Sequence, residues 1–264
     1  MMHIARMFAL SIAVLAGCAE LDDTSSTSQE SHSWGSYHWA RTSNPFTLKL
    51  GDNVTSAWDS YLNTSITDWS KSTVLDLTKV TGGTTVKRCA ATTGRVEVCN
   101  STYGNKGWLG IASISISGSH ITAGTVKLND TYYNTATYNT PAWRNLVMCQ
   151  EIGHTFGLDH QDENFSNANL GTCMDYTNDP SSNQHPNQHD YDQLVSIYSH
   201  LDSSTTVGLV AGTAHEAGES PADWGQVVSS SQDGLRDMFV RAHGNGDLTI
   251  THVLWVEGHE HGHE

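Results

Sequence analysis

The stretch from residue 150 to residue 160 reads Gln150-Glu-Ile-Gly-His154-Thr-Phe-Gly157-Leu-Asp-His160. On a helix, Gln150 and His154 are four residues apart and project from the same face. Gly157 favours an abrupt helix end, because glycine adopts left-handed backbone that residues with a Cβ disfavour. The chain can then turn back and bring His160 towards His154. Two imidazoles and a third donor in so short a segment predict a metal site.

Glu151 lies one position from Gln150, close enough to reach water at the predicted metal without binding the metal itself. A zinc ion with three protein ligands keeps one position for water, which is typical of catalytic zinc sites. There the ion acidifies the water and polarises a carbonyl, and a carboxylate takes the proton. The segment therefore predicts zinc-dependent hydrolysis, with Glu151 as the general base.

The residues before this segment predict the helix that carries it. Thr140 can cap the helix N-terminus, and Pro141 suits its first position. Apolar residues then recur at roughly helical period, namely Trp143, Leu146, Val147, Ile152 and Phe156. We therefore expect a buried helix that ends at the predicted metal site.

A second motif, Cys173-Met174-Asp175-Tyr176, follows downstream of His160. Together the two motifs resemble the metzincin clan of zinc endopeptidases, whose pattern H-E-x-x-H-x-x-G-x-x-H has histidine where this chain has Gln150. The resemblance implies a methionine turn at Met174 beneath the metal. It also implies that Tyr176 binds zinc or steadies the tetrahedral intermediate. The stretch 34–201 is similar to a matrixin-like bacterial secreted group of this clan that carries glutamine at that position.

Gln150 leaves three interpretations open. Glutamine offers a neutral carbonyl oxygen, whereas zinc usually takes imidazole, thiolate or carboxylate. In the first interpretation, Gln150 binds zinc through that oxygen. In the second, another residue replaces Gln150 as the ligand, and His185 and His189 are the candidates. In the third interpretation the site is empty and the protein is a catalytically silent surface lipoprotein that acts as a binding or structural module.

The first cysteine predicts export. Residues 8–18 form a short apolar run that ends Leu15-Ala-Gly-Cys18 and resembles a bacterial lipobox. Cleavage before Cys18 and its acylation would anchor the protein to the bacterial cell envelope through lipid. An ordinary secretory signal, and so an extracellular protein, is the alternative.

The other four cysteines fit a compartment that permits disulfides. Of the three possible pairings, we expect Cys89–Cys99 to staple a hairpin. We expect Cys149–Cys173 to tie the active-site helix to the methionine turn.

The predicted fold class is α+β: a metzincin-like twisted mixed sheet with the active-site helix, a backing helix at 190–201, and a small C-terminal β appendage. In this fold we expect strand 108–117 to border the cleft and to pair with extended substrate. The predicted organisation is a signal peptide at 1–18, a flexible tether at 19–33, a catalytic domain at 34–202, a linker at 203–223, a β-strand appendage at 224–257 and a histidine-rich tail at 258–264.

Composition limits the partners. The formal net charge of −15 disfavours nucleic acid and anionic membrane. We expect a monomer that acts on protein or peptide substrates, binds Zn²⁺, and meets the membrane only through its lipid. A weaker Ca²⁺ prediction rests on oxygen donors at Asp162, Glu163, Asn164, Asn167 and Asn169.

Overall fold

The computed structural model of the protein describes residues 32–212, 214–231, 235 and 237–259. The predicted signal peptide, Cys18 and the tether up to residue 31 lie outside the described residues. His32 is buried and Ser33 bridges to Leu158, so the end of the predicted tether is part of the domain.

Nine strands and five helices occur among the described residues. In chain order they are β1 His38–Trp39, β2 Phe46–Asn53, α1 Asp59–Trp69, β3 Leu75–Thr81, β4 Val96–Ser101, β5 Trp108–Ser117, β6 His120–Asn129, α2 Asp130–Tyr133, α3 Pro141–His154, α4 Gln188–Ile197, α5 Pro221–Trp224, β7 Gln226–Ser229, β8 Met238–Gly244 and β9 Asp247–Trp255.

The strands form one mixed sheet in the order β3-β2-β4-β6-β5-β9-β8-β7, with β1 paired to β6. The pairs among β2, β3, β4 and β6 are parallel, and those among β5 to β9 are antiparallel. A mixed sheet with few helices agrees with the predicted α+β class.

The C-terminal strands correct two predictions. They were expected to form a separate appendage, but β9 pairs with β5 from Trp108↔Trp255 to Ser117↔Asp247. Strand 108–117 therefore lies between β6 and β9, and it has no free edge for a substrate. The physical reason is that β9 is buried on both faces from Thr249 to Trp255, as is typical of a strand inside a sheet.

The two faces of β9 contribute to different cores. Ile250 and Leu254 belong to the large core beneath α3. Val253 and Trp255 belong to a smaller cluster on the other face. Because successive strand residues alternate between faces, His252 lies on the α3 side, between Ile250 and Leu254.

Helix α3 begins as predicted, since the Thr140 hydroxyl accepts the Trp143 N–H at 3.2 Å and Pro141 follows the cap. Helix α4 starts two residues before the predicted backing helix because Asn187 and Asp190 form a capping box. No helix in the described ranges has both the length and the apolar character of a bilayer-spanning segment.

Candidate metal centre

The end of α3 brings Gln150, Glu151 and His154 into the interior, each 1% exposed or less. His154 donates its Nδ1–H to the Leu158 carbonyl oxygen at 2.9 Å. That hydrogen bond fixes the tautomer and leaves the lone pair on Nε2, as in many metal-binding histidines.

The chain reverses at Gly157, where φ is +96°. A Cβ added there would lie 2.5 Å from the Tyr37 carbonyl oxygen, so only glycine fits both the conformation and the space. The turn brings His160 Nε2 to 3.0 Å from His154 Nε2.

His160 is oriented by acidic neighbours. Its Nδ1 lies 3.4 Å from Glu163 Oε1, and because a carboxylate can only accept, Nδ1 carries the proton. Two lone-pair nitrogens therefore face each other across 3.0 Å. A cation between them, either a proton or a metal ion, removes that repulsion.

A third imidazole joins the pair from β9. The His252 ring stacks on His154 at a centroid distance of 4.1 Å and meets His160 edge-on at 5.1 Å. The ligand atoms of the three histidines lie within 4.8 Å of one another. Neither ring nitrogen of His252 has a hydrogen-bond partner in the described part of the chain, and its closest carboxylate oxygen, on Asp159, is 3.6 Å away.

Burial disfavours the charged form of two of these rings. It lowers the pKa of His154 and of His252 well below the usual value of 6.5. Burial also opposes protonation of His160, but the hydrogen bond with Glu163 and nearby carboxylates raise its pKa overall. Neutral imidazole is the form that binds metal.

Small residues on β5 make room for the site. Ala112 pairs directly with His252, and Gly110 lies against the side chain of Glu151. A Cβ at Gly110 would lie 2.3 Å from Glu151 Oε1. Both Glu151 oxygens are buried without a hydrogen-bond partner, and burial raises the pKa of this carboxyl well above its usual range.

Gln150 is also buried with both amide atoms unpartnered. Buried polar atoms in native structures are nearly always hydrogen-bonded. The orphaned atoms of Gln150, Glu151 and His252 therefore fit a centre completed by a metal ion and its water.

Met174 and Tyr176 lie against this centre. A Cβ at Gly153 would lie 2.7 Å from Met174 Sδ, so the methionine packs directly against α3. The Tyr176 ring is 4.1 Å from His160, and its hydroxyl donates to Asp237 Oδ2 at 3.0 Å. Burial raises the pKa of Asp237 to about 6.

The described residues contain two disulfides, with the predicted pairing. Cys149–Cys173 joins α3 to the segment before Met174. Cys89–Cys99 joins a loop to β4 rather than the two strands of a hairpin, because Cys89 ends a turn that begins at Thr85.

The other two histidines proposed as substitutes lie elsewhere. His185 Nδ1 is 2.6 Å from Asp68 Oδ2, and His189 stacks on His32. His252 was missed because its only signal is a histidine at an apolar position of a strand pattern, which by itself more often marks a core residue.

The predicted calcium ligands mostly stabilise their own loop. Asp162 accepts the Asn164 N–H at 2.6 Å, and Asn164 accepts the Ser166 N–H at 2.9 Å. Asn169 donates to the Asp179 carbonyl oxygen. Calcium binding stays a prediction.

No family model matches this chain, and no curated protein matches it. Among solved structures, the structure of myroilysin is similar at a TM-score of 0.36 and 12% sequence identity. The match covers 61% of this chain and 96% of that chain. A TM-score of this size defines neither the fold nor the chemistry of this protein.

Proposed function

We propose that this protein is a zinc-dependent endopeptidase that hydrolyses peptide bonds of extracellular or periplasmic proteins. The observation that carries the proposal is the grouping of three buried imidazoles at the end of α3, the same helix that carries the unpartnered buried carboxylate of Glu151. Such groups are costly to bury unless something compensates them.

The donor set favours zinc, because neutral imidazole nitrogens suit this borderline-soft ion. We assign His154, His160 and His252 as its ligands, with Gln150 beside them. When bound, zinc supplies a Lewis acid that polarises a carbonyl and acidifies water.

The remaining residues handle protons. A bound cation nearby would offset the burial that raises the pKa of Glu151, and the carboxylate would then take the proton of the attacking water and return it to the leaving amine. Tyr176 lies against His160, and its single hydroxyl proton is donated to Asp237 in this structure. To stabilise the developing oxyanion, the hydroxyl would have to exchange Asp237 for that oxygen.

His252 can be either a permanent ligand or part of a strand that blocks the site and later leaves. Removing β9 would expose the buried side chains of Ile250, Val253 and Leu254. At about 1.5–3 kcal/mol each, that costs about 5–9 kcal/mol, comparable with the whole stability of a domain. We therefore infer that β9 stays in place and that His252 is a permanent ligand.

Substrate then has to enter away from the covered edge of β5. A cavity of about 400 Å³ lies beside the centre, lined by residues that include Glu163, Phe165 and Trp255. Glu163 contacts His160, and Phe165 stacks on Tyr176. We propose that this cavity admits the substrate.

We propose that the protein is exported, with lipid attachment at Cys18. Two disulfides are compatible with an extracellular protein. Metabolic labelling with palmitate tests the anchor, and loss of the label in Cys18→Ala is the expected result.

The deciding experiment measures zinc content by elemental analysis and cleavage of a fluorescein-labelled unfolded protein in His252→Ala. If His252 is a permanent ligand, the variant should lose about one zinc per chain and should also lose cleavage activity. The control is His185→Ala, which removes an imidazole outside the cluster. Retained zinc with faster cleavage would instead make β9 an inhibitory strand.

Glu151→Gln separates catalysis from metal binding. Zinc content should stay unchanged while cleavage falls about 10²–10⁴-fold, the usual contribution of a general base. A silent binding module is the second candidate, favoured by the burial of every residue of the centre at 7% exposure or less. Bound zinc without cleavage in the unsubstituted protein would support it.

A further inference from the structure

A second cluster of metal-binding side chains lies outside the centre described above. It comprises His32, which precedes β1, and His189 and Asp190, which lie in the first turn of α4. Their candidate ligand atoms all lie within 4.8 Å of one another. His32 and Asp190 are 4% and 0% exposed, and His189 is half-buried with an enclosed Nδ1.

Each member has one candidate ligand atom without a hydrogen-bond partner among the described residues, and hydrogen bonds orient two of the three side chains. His32 donates its Nδ1–H to the Asp159 carbonyl oxygen at 2.8 Å, which leaves the lone pair on Nε2. Asp190 Oδ2 accepts hydrogen bonds from the Thr172 hydroxyl and the Asn187 N–H, which leaves Oδ1. His32 Nε2, His189 Nδ1 and Asp190 Oδ1 have no hydrogen-bond partner among the described residues.

The spacing fits ligands of one ion better than a direct contact. His32 Nε2 lies 3.7 Å from Asp190 Oδ1, too far for a hydrogen bond. Two ligands at about 2.0–2.1 Å from a tetrahedral zinc are roughly 3.4 Å apart. His32 is hydrogen-bonded to a backbone carbonyl oxygen, and Asp190 accepts hydrogen bonds from two donors. Hydrogen bonds of this kind typically orient metal ligands.

We propose that His32, His189 and Asp190 bind a second divalent metal ion, zinc by their donor chemistry, at a structural site. The ion would join the segment before β1 to α4. It would also support the first centre, because His32 bonds to Asp159 through both its ring and its backbone carbonyl, and Asp159 directly precedes His160.

The test is zinc stoichiometry on the full mature chain after dialysis against zinc-containing and then zinc-free buffer. The unsubstituted protein should retain about two zinc ions. His189→Ala and His154→Ala should each retain one, and the double variant none. His189 is preferred to Asp190 because Asp190 also caps α4. The matched control His185→Ala, on the same polar segment, should retain two.

One zinc in the unsubstituted protein that is lost in His154→Ala and kept in His189→Ala would overturn the second site. So would a second zinc that survives His189→Ala and disappears when residues 258–264 are deleted, since it would belong to the tail. Cobalt substitution provides an independent readout, because the visible absorption of His189→Ala should be reduced relative to the unsubstituted protein. This test is independent of the proposed function. Two bound zinc ions without cleavage would contradict the peptidase activity but would still support the second site.

Discussion

At the scale of single residues, the candidate centre depends on small residues that leave space as well as on the proposed metal ligands. Gly110 and Ala112 lie on the face of β5 towards α3, where a larger residue would fill the space of Glu151 or His252. A sequence motif identifies the candidate ligands but not the space around them. That space lies between β5 and elements that are distant from it in sequence.

Gly110→Ala should therefore impair cleavage without removing zinc. The new Cβ would displace the Glu151 carboxylate, and a misplacement of about 1 Å can lower the rate about 10²-fold. The measurement is kcat/KM together with zinc content. An unchanged kcat/KM would show that Glu151 need not occupy its present position during the reaction.

Gln150→His tests what the glutamine does. If three histidines already hold the ion, a fourth imidazole fills the position that water needs. We expect tighter zinc retention against a chelator and slower cleavage than in the unsubstituted protein. Faster cleavage would mean that His252 is not a ligand and that the motif lacks its third histidine.

At the scale of elements, α3 and its two histidines could be predicted because their signals are local. Thr140 and Pro141 mark the start of the helix, and Gly157 marks the turn that returns His160. His252 could not be predicted, since its place depends on the pairing of β9 with β5, and the sequence of a strand does not by itself specify which distant strand it pairs with. The same non-local pairing is why the C-terminal strands were expected to form a separate sheet.

The two disulfides allow a matched comparison of elements. Replacing either pair with alanine should cost about 3 kcal/mol of stability, because both close loops of modest length. Only the Cys149–Cys173 pair ties α3 to the segment of Met174, so only its loss should also weaken zinc binding. Urea unfolding and zinc titration of the two double variants check this, and equal zinc affinities would refute it.

At the scale of the whole molecule, the first centre would link α3, the loop that follows it and β9. Zinc that binds only the folded state stabilises it by about 4 kcal/mol at a thousand times its Kd. We expect chelation to lower Tm and to speed amide hydrogen exchange in β9. In His252→Ala, chelation should speed β9 exchange less, because only the second proposed site still has an ion to lose. Equal effects in both proteins would place β9 outside the centre.

The pairing of β9 with β5 also orders events in time. A ribosome releases the chain from its N-terminus, so His154 and His160 emerge well before His252. Until β9 joins the sheet, the nascent chain carries only two of the three proposed histidine ligands. Under the proposed function, a peptidase built in this way would lack a complete zinc site until its last strand has paired.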